Sequence, residues 1–177
     1  MENAPGTPTQ HVIRVATAAD AAGIAGAHVA SWQAAYRGLL PQALLDSLSV
    51  ERRTAGWRRE LEGGTSVHVA VDPSGQIGGF VATGPSRDDD AGPAVGELIA
   101  VYLRPQLWSQ GVGGRLHAAG VAGMKTRFTE ATLWVLDGNA RSRAFYERQD
   151  WQPDGAVKRE AFGDAEVVEV RYRRPLG

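Results

Sequence analysis

From Val101 to Gly114 the chain reads Val-Tyr-Leu-Arg-Pro-Gln-Leu-Trp-Ser-Gln-Gly-Val-Gly-Gly, an apolar run that meets a glycine-rich turn. Upstream, Glu97–Leu103 is apolar enough for a strand buried on both faces. Downstream, Gly111–Gly114 opens a helical pattern that reaches about Lys125. Strand, tight turn and helix in this order constrain the fold more than any other feature of the sequence. The first N–H groups of a helix lack internal acceptors, and their aligned dipoles make that end partly positive. Glycines without Cβ let such N–H groups close around a phosphate, so the turn suits a pyrophosphate. Two phosphate ligands fit poorly. A nucleoside triphosphate loop needs Gly-Lys-Ser/Thr, but Gly114 is followed by Arg115 and Leu116. A dinucleotide fingerprint needs a third glycine where Leu116 stands.

The rest of the chain alternates short strands with helices. His11–Val15 reads as a strand, and Thr17 with Asp20 three residues on has capping-box spacing for a helix over Ala18–Ala35. A break at Gly38–Pro41 follows, and Ser49 caps a second helix that runs to about Leu61 and stops at Gly63–Gly64. Ser66–Val71 and Gly78–Thr83 form a hairpin around the Asp72-Pro73-Ser74-Gly75 turn. Pro85–Pro93, with Asp88, Asp89 and Asp90 in a row, reads as a solvated loop. Ala131–Val135 is another buried-type strand, Asn139 caps a helix to about Arg148, and Ala156–Ala161 and Glu166–Arg173 close the chain as strands. About four main helices and seven strands make an α/β domain over residues 11–177, behind a leader of residues 1–10. The 177 residues suffice for one such domain.

Composition removes several function classes. A formal net charge of -1 gives no broad electropositive surface, so no nucleic-acid partner is expected. There is no cysteine, hence no disulfide, no thiolate metal site and no cysteine nucleophile. The 4 histidines (His11, His28, His68, His117) show no metal-ligand spacing, so no metal is expected. No apolar run approaches the ~20 residues that cross a bilayer, and the start lacks a signal-peptide pattern. A cytoplasmic protein with no membrane partner is the expectation.

The glycine stretch resembles motif A of the GNAT-type N-acetyltransferases, whose loop reads Arg/Gln-x-x-Gly-x-Gly/Ala after the fourth strand. Trp108 stands at the Arg/Gln position, a departure. Leu133-Trp-Val-Leu-Asp-Gly-Asn139 through Phe145-Tyr146 resembles the family's motif B region, with Asp150 where a glycine usually follows the helix. The likeness runs from about Ile13 to Pro175. It implies a mixed, mostly antiparallel seven-stranded sheet, splayed between strands four and five and flanked by helices. It also implies acetyl-CoA as acyl donor, an amine as acceptor, direct transfer in a ternary complex, and an assembly that is often a homodimer.

Cofactor-binding residues follow from the resemblance: main-chain groups of Val101 and Leu103 for the pantetheine arm, and Trp108, Ser109, Gln110, Gly111, Val112, Gly113 and Gly114 for the pyrophosphate. The Val101 N–H would polarise the thioester carbonyl, an oxyanion donor by position. Asn139, Ser142, Arg143 and Tyr146 fall on one helix face, with Asn139 and Ser142 expected at the cofactor. At pH 7 only about one alkyl amine in 2,500 is unprotonated, and removing the proton costs roughly 4.6 kcal/mol. Glu97 is the candidate base, because strict alternation along the strand puts it on one face with Val101 and Leu103; partial burial is what makes such a carboxylate basic enough. A solvated strand-end carboxylate is the alternative. Tyr146 matches the family's tyrosine near the leaving sulfur. Proton transfer from a phenol to a thiolate is uphill by about 2 kcal/mol, so a hydrogen bond to the sulfur is its expected role. Trp32 and Tyr36, at helical spacing with His28, either pack the core or line the amine site. A rival to the enzyme is an acyl-CoA-binding module without turnover.

Overall fold

The computed structural model describes residues 10–162 and 165–177; all but the last residue of the expected leader lies outside them. Seven strands form one sheet: β1 (Val12–Val15), β2 (Ser66–Val71), β3 (Ile77–Pro85), β4 (Val95–Leu103), β5 (Glu130–Leu136), β6 (Gln152–Phe162) and β7 (Ala165–Pro175). Their order is β1-β2-β3-β4-β5-β7-β6. Only β4 and β5 run parallel, and they pair over three positions, Val95↔Glu130, Gly96↔Ala131 and Glu97↔Thr132. Beyond Glu97 the two strands part, which is the splay expected from the sequence.

Helices cover both faces. α1 (Ala21–Ala35) and α3 (Val50–Glu62) lie on one side, over Phe80, Ala82 and Ala100. α4 (Val112–Lys125) and α5 (Ala140–Glu147) lie on the other, over Val81, Leu98, Leu103 and Leu133. The Thr17–Asp20 box forms, Thr17 N–H donating to Asp20 Oδ2 at 2.8 Å, but the first turn it starts is a 3-10 turn over Ala18–Asp20. Arg14 clasps Asp20 with two 2.8 Å bonds, tying β1 to that turn. Gly120 lets α4 close on the sheet, since a Cβ there would lie 2.8 Å from Val81 Cγ2. Directly after the expected break at Gly38–Pro41 there is a short helix, α2 (Gln42–Asp46), whose five residues carry too little periodic signal to read.

A bulge in β4 corrects one expectation. β3 residues Ala82 and Thr83 pair with Ala100 and Leu98, leaving Ile99 as the extra residue. An extra residue inverts the alternation on one side of it. Leu98 therefore joins Val101 and Leu103 in the cluster under α4, while Tyr102 and Ala100 face α1. Glu97, paired with Gly84, falls on the α1 side rather than with Val101 and Leu103.

Candidate active site

The splay opens a cavity of about 1010 Å³ that passes through the sheet plane. Residues from Glu97 to Leu103 of β4 form one wall and Trp134, Val135 and Leu136 of β5 the other. The glycine turn and α5 close one mouth, and Trp32 and Tyr36 of α1 stand at the opposite one.

At the first mouth, Gly111 takes φ 77, a left-handed conformation that favours glycine, and Ser109 takes φ 63. The first α4 bond runs from Arg115 N–H to the Gly111 carbonyl at 3.2 Å. That leaves the N–H groups of Val112, Gly113 and Gly114 without acceptors inside the helix. A Cβ on Gly114 would meet nothing within 4 Å, and one on Gly113 would sit 3.4 Å from Leu103 Cδ1. Open space beside unpaired N–H groups at a helix start fits a pyrophosphate. Trp108, Ser109, Gly111, Gly113 and Gly114 line the cavity with Val101 and Leu103. The side chains of Gln110 and Val112 do not: Gln110 Nε2 donates to the Gln106 carbonyl at 2.5 Å, and Val112, the first residue of α4, is buried in the core. Trp108 locks the turn to the strand by donating Nε1–H to the Leu103 carbonyl at 3.1 Å. Over its ring lies the Arg141 guanidinium, 3.6 Å from the centroid. Arg141 lines the cavity and has no carboxylate partner among the described residues, and burial lowers its pKa. Sequence reading missed it, because its signal is the spatial overlap with the residue that replaced the motif's Arg/Gln.

Asn139 caps α5, its Oδ1 accepting from Ser142 N–H at 3.1 Å, and both residues line the cavity. Arg143 points elsewhere, to Tyr172 Oη at 3.0 Å and Asp137 Oδ1 at 2.6 Å. Asp150 adopts φ 62, the conformation a glycine would take, so the turn after α5 forms in spite of the substitution.

Glu97 and Tyr146 stand where the strands part. Glu97 is 4% exposed, and Arg87 engages both its oxygens: Nη2 donates to Oε1 at 2.6 Å and Nε to Oε2 at 3.0 Å, with the Arg87 backbone N–H adding 3.1 Å. The guanidinium gives a buried carboxylate its counter-charge. Tyr146 is buried, lines the cavity, and its hydroxyl has no hydrogen-bond partner among the described residues. Burial, then the nearby Tyr102, raises its pKa and keeps the proton on Oη.

At the second mouth Trp32 and Tyr36 pack edge to face at 5.0 Å, and Tyr36 Oη lies 3.4 Å from Tyr102 Oη. Burial again raises the Tyr36 pKa well above its ordinary value. Both rings are half-buried, pack against each other and border the cavity. Lys158 Nζ bridges Glu169 at 2.9 Å and Glu160 at 3.2 Å and sits 4.7 Å over the Trp134 ring. The acidic run lies in a largely exposed loop, as expected, but two of its carboxylates are committed to partners. Asp90 holds Arg171 at 2.6 and 2.8 Å, while Asp88 accepts from Arg171 at 3.2 Å and from Trp134 Nε1 at 2.8 Å. A guanidinium with an 8% exposed side chain requires such partners, and only the fold brings β7 to this loop. Among the described residues no group of three His, Cys, Asp or Glu side chains is placed to hold a metal, and no helix is long and apolar enough to cross a membrane.

A mixed sheet opened between β4 and β5, with a glycine turn at the opening, defines an acyl-CoA N-acyltransferase fold. Residues 29–151 match the Acetyltransferase (GNAT) family, and the chain belongs to that family of N-acetyltransferases. It is 34% identical over 163 residues to the uncharacterized N-acetyltransferase YuaI of Bacillus subtilis, covering 91% of this chain and 88% of that one. Its fold is similar to that of yncA from Salmonella typhimurium, solved with acetyl-CoA (TM-score 0.71, 20% identity, 94% of each chain). It is also similar to the PaiA N-acetyltransferase of Thermoplasma acidophilum, solved with coenzyme A (TM-score 0.67, 18% identity, 93% of this chain and 98% of that one).

Proposed function

We propose that the protein transfers an acetyl group from acetyl-CoA directly to a primary amine of a small molecule or peptide, within a ternary complex. The observation that carries this reading is the single cavity, which joins the glycine turn at one mouth to Trp32 and Tyr36 at the other past Glu97 and Tyr146. Acetyl-CoA, when bound, supplies the activated acetyl thioester. The N–H groups of Val112, Gly113 and Gly114 hold its pyrophosphate, with Ser109, Gln110 and Gly111 shaping the turn, and Arg141 supplies a guanidinium that the turn itself lacks. Main-chain groups of Val101 and Leu103 align the pantetheine arm, while Asn139 and Ser142 border it from α5. Val101 N–H is the donor for negative charge developing on the acyl oxygen. Trp32 and Tyr36 hold the acceptor. Glu97 accepts the amine proton through a water at Oε1, the oxygen with one bond from Arg87. Tyr146 keeps its proton and offers it as a hydrogen bond to the departing sulfur.

The Arg87 clasp on Glu97 favours a second reading, a module that binds acyl-CoA without turnover. Thiol release from acetyl-CoA across a panel of amines separates the two. Release that depends on an amine supports the enzyme; cofactor binding by calorimetry with no release on any amine supports the module.

A further inference from the structure

Next to the cavity, between α3 and the sheet, lies a second recess of about 590 Å³. Its wall carries four guanidinium side chains, Arg52, Arg53, Arg59 and Arg87, against one carboxylate, Glu60. Only Arg87 is paired with a carboxylate, Glu97; Arg52, Arg53 and Arg59 have no carboxylate partner among the described residues. Arg59 is exposed, and Arg53 lies 5.5 Å from the centroid of the Trp32 ring. Arg52 spends one N–H on the Ser47 carbonyl at 2.8 Å, and Glu60 accepts from Thr65 at 2.8 Å. Like charges gathered in a concave wall repel one another, and an anion relieves that repulsion.

A second observation points the same way. His28, 7% exposed, forms part of the recess wall. Trp57 Nε1 donates to its Nδ1 at 3.1 Å, which puts the imidazole proton on Nε2. That Nε2 is buried and has no partner among the described residues. Burial, with Arg53 nearby, lowers the His28 pKa to about 3, so the ring stays a neutral donor. An unused N–H is thus buried in the wall, beside guanidiniums that lack carboxylate partners. It adjoins the catalytic cavity, because Arg87 and Ile99 border both.

We infer that the acceptor carries an oxyanion, a carboxylate or a phosphate, in addition to its amine, and that Arg53 and Arg59 hold this anion in the recess while the amine reaches Glu97. This rests on the acetyltransferase reading above and narrows its acceptor class. Guanidinium forks match carboxylate and phosphate oxygens two at a time, which gives the acid form of an acceptor its advantage over a neutral one.

The test uses matched acceptors on the full chain with acetyl-CoA: glycine, β-alanine and γ-aminobutyrate, each against its amide, and phosphoethanolamine against ethanolamine. For at least one pair, kcat/KM for the anionic member should exceed that of the neutral one by about tenfold, the scale of one charge-assisted hydrogen bond. The amino acid arms and the phosphoethanolamine arm tell carboxylate from phosphate. In the Arg53→Gln/Arg59→Gln double variant that ratio should fall to near one. Calorimetric titration of the same acids into the CoA-loaded protein reads binding without turnover. Acid binding that the double variant loses, with no transfer to any acceptor, upholds the recess and overturns the acetyltransferase reading. Neutral members turned over as well as acids, or acids that bind the double variant as tightly as the wild type, overturn the recess.

Discussion

At the glycine turn the chain offers main-chain N–H groups and empty space; at the opposite mouth, under α1, it offers rings and charges drawn from five separate elements. The first grip depends on backbone conformation, set by a handful of neighbouring residues from Trp108 to Gly114. The second depends on side chains of Trp32, Tyr36, Tyr102, Trp134, Lys158 and Glu169, which meet only when the sheet is complete. A ligand common to a whole family is served by the first kind of site. A ligand particular to one protein is served by the second.

Variants at each mouth sharpen or break this contrast. The largest effect is expected from Gly114→Leu, which fills open space without meeting the protein. Acetyl-CoA affinity should drop by about a hundredfold or more, while the melting temperature holds or rises because leucine is about 1 kcal/mol better than glycine inside a helix. Normal affinity by calorimetry would contradict the turn assignment. The two halves should behave alike towards acid. His28 and His117 are buried on opposite sides of the sheet, with pKa values lowered by burial to about 3 and about 4 from 6.5. The unfolded chain takes up these protons below pH 6.5 and the folded one does not. Stability should therefore be present above that pH and fall as it drops towards about 4, by up to ~2.7 kcal/mol per pH unit for two protons. Urea unfolding at a series of pH values measures the slope; half that slope would mean that one ring takes up its proton in the fold, and a flat profile that both do.

Tyr146→Phe should slow transfer by about thirtyfold with cofactor affinity nearly unchanged, as expected when a hydrogen bond of about 2 kcal/mol forms only as the sulfur leaves. An unaltered rate would leave Tyr146 as packing. Trp32→Ala should raise the acceptor KM by about tenfold and leave the KM for acetyl-CoA alone. A variant that lost only stability would return Trp32 to the core. The smallest effect belongs to Asp150→Gly, which relieves a left-handed residue and should stabilise the fold by about 1 kcal/mol in thermal unfolding.

Much of this was readable before the fold. The glycine turn, the Thr17 and Ser49 caps and the hairpin at Asp72–Gly75 are local, and local residues determine them. The splay between β4 and β5 followed from a family likeness rather than from spacing. What escaped the sequence depends on contacts between distant segments. Arg171 lies 81 residues from Asp90, and nothing in an aspartate run foretells a buried guanidinium. The extra residue at Ile99 breaks a period of two without any glycine or proline to announce it, so alternation placed Glu97 on the wrong face. Arg87 is equally silent in sequence, yet it holds both oxygens of the candidate base.

Because β4 and β5 share only three pairs, the sheet contains a seam. Along it the backbone of β4 past Glu97 has no strand on the β5 side, much as a border strand has none. A polar chain that threads the gap completes that hydrogen bonding. An empty molecule is thus half-unzipped at its centre, and loading it should knit the halves before and after the seam into a single cooperative unit.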